Sequence, residues 1–97
     1  MSTTEETVIL YSPIKMGETE MTSVTVRKPG AGELRGTKLR DLLDLDVDSL
    51  IKVLPRVTTP TIPAAIVATI DPAALTAMGS KVAAFLLPKA MRQSGTD

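Results

Sequence analysis

Between Lys28 and Thr37 the chain changes its period, and that change constrains the fold more than any other feature. Upstream, Met21 to Lys28 alternates residue by residue, with Thr22, Val24 and Val26 on one face and Met21, Ser23, Thr25 and Arg27 on the other. That is the pattern of a half-buried strand. Downstream, Leu39, Leu42 and Leu43 recur at spacings of three and four, which is helical. Pro29-Gly30-Ala31-Gly32 lies between them and reverses the chain, with Gly32 expected to supply positive φ. Everything before this turn reads as β and everything after it as α.

The β half begins after Met1 to Glu6, a polar stretch expected to be disordered. Thr7 to Ser12 is β-branched and aromatic, a short strand that Pro13 is expected to end because proline lacks an N–H. Gly17 suits positive φ in the loop that returns to Met21. Two strands alone are marginal, so the apolar face of the hairpin must pack on helices or on another subunit.

The α half holds three to four short helices. The first is a candidate over Glu33 to Leu45, firm from Thr37 to Leu43 with Thr37 as N-cap. The second runs from Asp48 to Leu54, capped by Asp46 or Asp48 and closed by Pro55, with Val47, Leu50, Ile51 and Leu54 on its apolar side. Val57 to Thr61 is a connector. Thr61 caps a third helix that carries Ile62, Ile66, Val67 and Ile70. Asp71-Pro72 opens the fourth, as N-cap and first helical residue, and it extends to Leu87 with Leu75, Met78, Val82, Phe85 and Leu86 in one stripe. Gly79 inside it points to a close helix–helix contact. The expected class is α+β: one small domain over 1–97, with a β-hairpin at about 7–28, a helical part at 33–87 and a flexible tail at 88–97. Helices this short are marginal in isolation and must hold one another through their apolar faces.

Composition narrows the function. No cysteine and no histidine leave no thiolate nucleophile, no usual general base and no usual zinc ligand. No cofactor, no metal and no catalytic residues are expected. Eleven basic and eleven acidic residues cancel, and one Phe, one Tyr and no Trp give nucleic acid little charge and little to stack on. No apolar run approaches the ~20 residues of a membrane span. The acidic run Asp41, Asp44, Asp46 and Asp48 lacks the glycine and closing glutamate of an EF-hand.

Three features remain open to more than one reading. The basic cluster Arg27, Lys28, Arg35, Lys38 and Arg40 is either a solvated face or a self-association surface that meets the following acidic block of a neighbouring copy. Arg56 is either an exposed loop residue or a fixed contact to a helix C-terminus or an acidic group. The stripe Met78, Val82, Phe85 and Leu86 is core, or in part the lining of an apolar groove for a helical client.

An ordered set of segments carries a family resemblance: Pro13-Ile14 with Gly17; Val26-Arg27-Lys28-Pro29 with Gly32 and Leu34; Arg35 to Leu42; Leu54-Pro55-Arg56-Val57-Thr58; and Asp71-Pro72 with Leu75, Gly79, Val82 and Phe85. From about Ile9 to Leu87 the chain resembles the tail assembly chaperones of contractile-tailed bacteriophages, the E-type proteins and their Mu-like relatives. The resemblance implies a homo-oligomeric binding module. It would hold the helical tape measure protein in the host cytoplasm while the tail tube protein polymerises around it, and be absent from the mature virion. It also implies a longer, frameshifted form beside this shorter one. The alternatives are a small nucleic-acid-binding regulator and a minor structural virion subunit.

Overall fold

The computed structural model describes residues 4–87; the tail expected at 88–97 and the first three residues lie outside them. Strands β1 (Glu5–Met16) and β2 (Thr19–Arg27) form an antiparallel hairpin closed at Gly17-Glu18, with Gly17 at φ 63° as its position requires. The stretch expected to be disordered is partly strand: Glu5 and Glu6 pair with Arg27 and Val26, and Lys28 N–H donates to Thr4 O at 2.7 Å. Pro13 does not end β1. Pairing runs from Glu5↔Arg27 to Ile9↔Ser23, then resumes from Ile14↔Met21 to Met16↔Thr19. Leu10 to Pro13 thus bulge across a span that Thr22 alone covers on β2, and a bulge tolerates the missing N–H. The bulge also shifts the face of β2. Met21 is buried beside Val24 and Val26, and Thr22, expected on the inner face, is exposed.

A third strand joins the sheet where a connector was expected. β3 (Thr58–Thr59) pairs with β2 through Val26↔Thr58 and Thr25↔Thr59, so the order is β1-β2-β3. The reversal after β2 uses a single 3₁₀ turn at Ala31–Leu34, and the left-handed glycine is Gly36 at φ 86°, not Gly32.

Helix α1 (Leu39–Leu43) has Lys38 at its N-cap; the Thr37 hydroxyl instead donates to Leu34 O at 2.6 Å. Its three leucines do not share a buried face. Leu42 is fully buried, while Leu39 and Leu43 are exposed. Leu45 ends the helix in the left-handed conformation (φ 59°), with Leu45 N–H on Leu42 O and Asp46 N–H on Asp41 O, a Schellman arrangement that usually takes glycine. Helix α2 (Val47–Val57) is capped by Asp46, whose carboxylate accepts from Ser49 N–H at 3.0 Å. It passes through Pro55. An interior proline costs about 3 kcal/mol, but the last turn inserts Leu54 and Val57 fully into the core, and burial of two such side chains outweighs that cost. Val53 and Val57 take the inward positions expected of Val47 and Ile51: Val47 is exposed and Ile51 half-buried.

The third helix shrinks to α3 (Ala64–Val67). Pro63 stands at its N-cap, Thr61 does not cap it, and Ile62 is buried just before it. The Thr58 hydroxyl bridges to this segment, donating to Leu54 O at 2.8 Å and accepting from Ile62 N–H at 3.1 Å. α4 (Pro72–Leu86) matches its expected start, with Asp71 accepting from Ala73 N–H at 3.0 Å. It lies across β1 and β2 on one side and α1 and α2 on the other. At Gly79 a Cβ would stand 2.8 Å from Leu50 Cδ1 and 3.3 Å from Leu45 Cδ2. The glycine therefore lets α2 sit against α4, and the strained Leu45 backbone is repaid by the packing of its side chain in that contact.

Candidate functional site

The turn after β2 is held by a cluster of two arginines and one glutamate. Arg27 grips the Glu33 carboxylate with both ends of its guanidinium, Nη1 to Oε1 at 2.7 Å and Nη2 to Oε2, and Gly30 N–H adds a bond to Oε1 at 2.9 Å. Arg27 Nη2 also donates to Arg56 O at 2.8 Å. Arg56 returns the contact: its Nη1 donates to Glu33 O at 2.6 Å and to Arg35 O at 3.1 Å. One ionic cluster thereby joins the end of β2, the 3₁₀ turn and the last turn of α2. Arg56 is a fixed contact to the carbonyl end of a short helix.

The Arg27 hydrogen bonds, followed by the Gly30 N–H, hold the Glu33 carboxyl down to about 2, from an ordinary 4.5. The bond to Glu33 raises Arg27 further above its usual value. A carboxyl whose folded pKa is depressed contributes stability that is complete above its unfolded pKa and lost as pH falls through the folded one. Glu33→Gln is therefore expected to melt below the native chain at neutral pH. The gap should close between about pH 4.5 and about pH 2. Thermal melts by circular dichroism across that range check it; a gap independent of pH would remove the ionic role of Glu33.

The other residues of the basic cluster sit apart from this contact. Lys28, Arg35, Lys38 and Arg40 are all exposed. Arg40 pairs loosely with Asp44 along α1 at 3.7 Å, and among the described residues Lys28, Arg35 and Lys38 meet no carboxylate. Among the described residues Arg27 is the one of the five whose side chain makes hydrogen bonds within the chain. The α4 stripe is placed differently: Met78 and Val82 are fully buried, Phe85 nearly so, and Leu86 half-buried at the helix end.

The accessible apolar side chains lie elsewhere: Ile9 (59 % exposed) and Tyr11 (94 %) on β1, Leu39 (56 %) and Leu43 (39 %) on α1, and Val47 (53 %) at the first turn of α2. Ile9 and Tyr11 alternate with buried Val8 and Leu10 along β1, but the apolar run Val8-Ile9-Leu10-Tyr11 gives no sign in the sequence of which pair faces out. A groove of about 250 Å³ runs between Ile9–Ser12 and Ala73, Ala74 and Ala77 of α4. Among the described residues no group of His, Cys, Asp or Glu could hold a metal ion, and no helix is long and apolar enough to cross a membrane.

The model of the family described as phage tail assembly chaperone proteins, E, or 41 or 14, matches residues 7–87. The chain belongs to this family. It is 41 % identical over 88 residues to tail assembly protein E of Escherichia phage P2, covering 91 % of this chain and 97 % of that protein. It is 42 % identical over 83 residues to the longer tail assembly protein E′ of the same phage, covering 86 % of this chain but only 58 % of E′. No solved structure gives a significant match. The family match spans the hairpin, the arginine–glutamate cluster and all four helices. For a tail assembly chaperone the informative features are accessible apolar side chains and open strand edges, because these are what a binding protein offers to a partner.

Proposed function

We propose that this chain holds the tape measure protein of its phage in a soluble, assembly-competent state in the host cytoplasm, until tail tube subunits polymerise around it. The family match across residues 7–87 carries this reading. The task is binding without catalysis, and the chain leaves the finished particle. It acts as a homo-oligomer, and the similarity to both E and the longer E′ supports a frameshifted longer form as a further partner.

The exposed leucines of α1 and Val47 of α2 supply apolar area on the helical half, and Leu86 supplies the accessible end of the α4 stripe. The exposed cations Lys28, Arg35, Lys38 and Arg40 steer copies toward one another's acidic stretch from Asp41 to Asp48. Co-expression tests the reading. The tape measure protein encoded by the same phage is expected to move from pellet to supernatant when this chain is present and to co-purify with it. Apolar capture should survive a rise in salt that would strip a phosphate-binding protein from nucleic acid. A tape measure protein that stays insoluble overturns the proposal.

A further inference from the structure

β1 is an outer strand of the sheet, and its far edge meets no other strand among the described residues. The bond from Lys28 N–H to Thr4 O fixes which residues face that edge. In an antiparallel ladder the N–H and C=O of one residue point the same way. Thr4, Glu6 and Val8 therefore direct their backbone groups at β2, and Glu5, Thr7 and Ile9 direct theirs outward. The side chains of the paired segments divide by the same parity, with Glu5, Thr7, Ile9 and Lys15 exposed and Val8 and Ile14 buried; in the bulge between them Leu10 is buried and Tyr11, Ser12 and Pro13 are exposed. The groove beside Ile9–Ser12 is lined by β1 and α4 and by no residue of β2, so it flanks this edge.

We infer that the edge pairs with β1 of a second copy, antiparallel and centred on Leu10; this rests on the homo-oligomer proposed above and adds to it a contact distinct from the charge steering of the cationic face. A pairing that keeps apolar side chains on the core face must set odd residues against odd, which removes half of the registers. Centring on Leu10 sets Glu5 opposite the partner's Lys15, and Lys15 opposite the partner's Glu5. It also sets Ile9 opposite Tyr11, twice. Opposite charges and aromatic–β-branched pairs are the favourable cross-strand combinations. Centring on Ile9 or Tyr11 instead sets Glu5 against Pro13 or Gly17 and loses both ion pairs. Pro13 withholds one backbone donor in all three registers, so it does not decide among them. The small side chains of Ala73 and Ala77 leave room along the groove for the incoming strand. The two-fold axis closes the assembly as one six-stranded sheet, with no β1 edge left to pair.

Because the chain has no cysteine, introduced thiols report the register directly. Ile9→Cys and Tyr11→Cys are purified separately, then oxidised alone and mixed. Directly opposed positions lie within disulfide reach, whereas like positions are diagonal neighbours ~7–8 Å apart, so the mixture should give roughly tenfold more cross-linked dimer than either variant alone. In sedimentation, Glu5→Lys and Lys15→Glu should each weaken the dimer about tenfold, and the double exchange should restore it because the two-fold axis re-pairs the swapped charges. A strict monomer at high concentration, cross-linking no greater in the mixture, or a double exchange no better than the singles overturns the inference. Solubility of co-expressed tape measure protein is read separately. A chain that fails these tests yet keeps its client soluble refutes the register and leaves the chaperone reading standing.

Discussion

Met78→Asp is expected to leave no cooperative thermal transition, whereas Leu86→Asp is expected to fold and melt a few degrees low. Met78 is fully buried between the sheet and the helices, on the same inward face as Val82. Truncating such a side chain costs about 2–5 kcal/mol in lost packing. The carboxyl that replaces it must then either ionise in an apolar site or take up a proton, and each route adds several kcal/mol. A domain of this size has about 5–15 kcal/mol in total, so the sum reaches the whole of its stability. Leu86 is the last residue of α4 and is half-buried, so an aspartate there reaches water. It loses some apolar contact and places a negative charge at a helix C-terminus, an unfavourable effect of about 0.3–1 kcal/mol. Circular dichroism melts of the two variants decide the matter. If Met78→Asp melts like the native chain, the α4 stripe is not core, and the whole of it is free to receive a client.

The same contrast shows which parts of this chain could be read without coordinates. The hairpin was legible because alternation and Gly17 are local signals. α4 was legible because Asp71-Pro72 fixes its start and five apolar positions confirm its period. α1 misled because a five-residue helix is too short for a stripe to mean a buried face, and a Schellman turn at Leu45 cuts it off. β3 had no signal at all. Thr58 and Thr59 carry no period, and their strand character comes from pairing with Val26 and Thr25, far back in the sequence. α2 outran its proline because residues after Pro55 have tertiary partners, Val57 in the core and Arg56 on the 3₁₀ turn, while the Thr58 hydroxyl closes the last turn locally on Leu54 O. The arginine–glutamate cluster was half visible. Arg27 and Arg56 both stood out as candidates, but Glu33 lay inside a presumed helix. Only the 3₁₀ turn brings its carboxylate back to Arg27. The exposed apolar surface was only partly legible. Apolar residues on the helical half were expected to serve a client, but the stripe singled out is largely core, and the accessible leucines, Leu39 and Leu43, are those whose spacing sets them on one helical face with Leu42.

That relocation gives the largest expected functional effect. Leu39→Glu combined with Val47→Glu should abolish solubilisation of the co-expressed tape measure protein and leave the fold intact. Both side chains are more than half exposed in the isolated chain, so neither change opens a cavity. Each is the first residue of its helix, after Lys38 and Asp46 at the N-caps. A glutamate in the first turn is favoured by the helix dipole, so the melting temperature should stay within a few degrees of native. Against a helical client, burying a leucine or valine side chain contributes about 1.5–3 kcal/mol. Losing two such contacts, and desolvating two new carboxylates, weakens binding by more than about a hundredfold. Ser80→Asp, at an exposed position of α4, is the control and should solubilise as well as the native chain. The readout is the soluble fraction of tape measure protein, with circular dichroism on each variant. If the folded double variant still keeps the client soluble, binding does not use α1 and α2. Among the described residues the accessible apolar surface then left to carry it is the Leu86 end of α4 and the Ile9–Tyr11 edge, and a client on that edge would compete with pairing of β1 between copies.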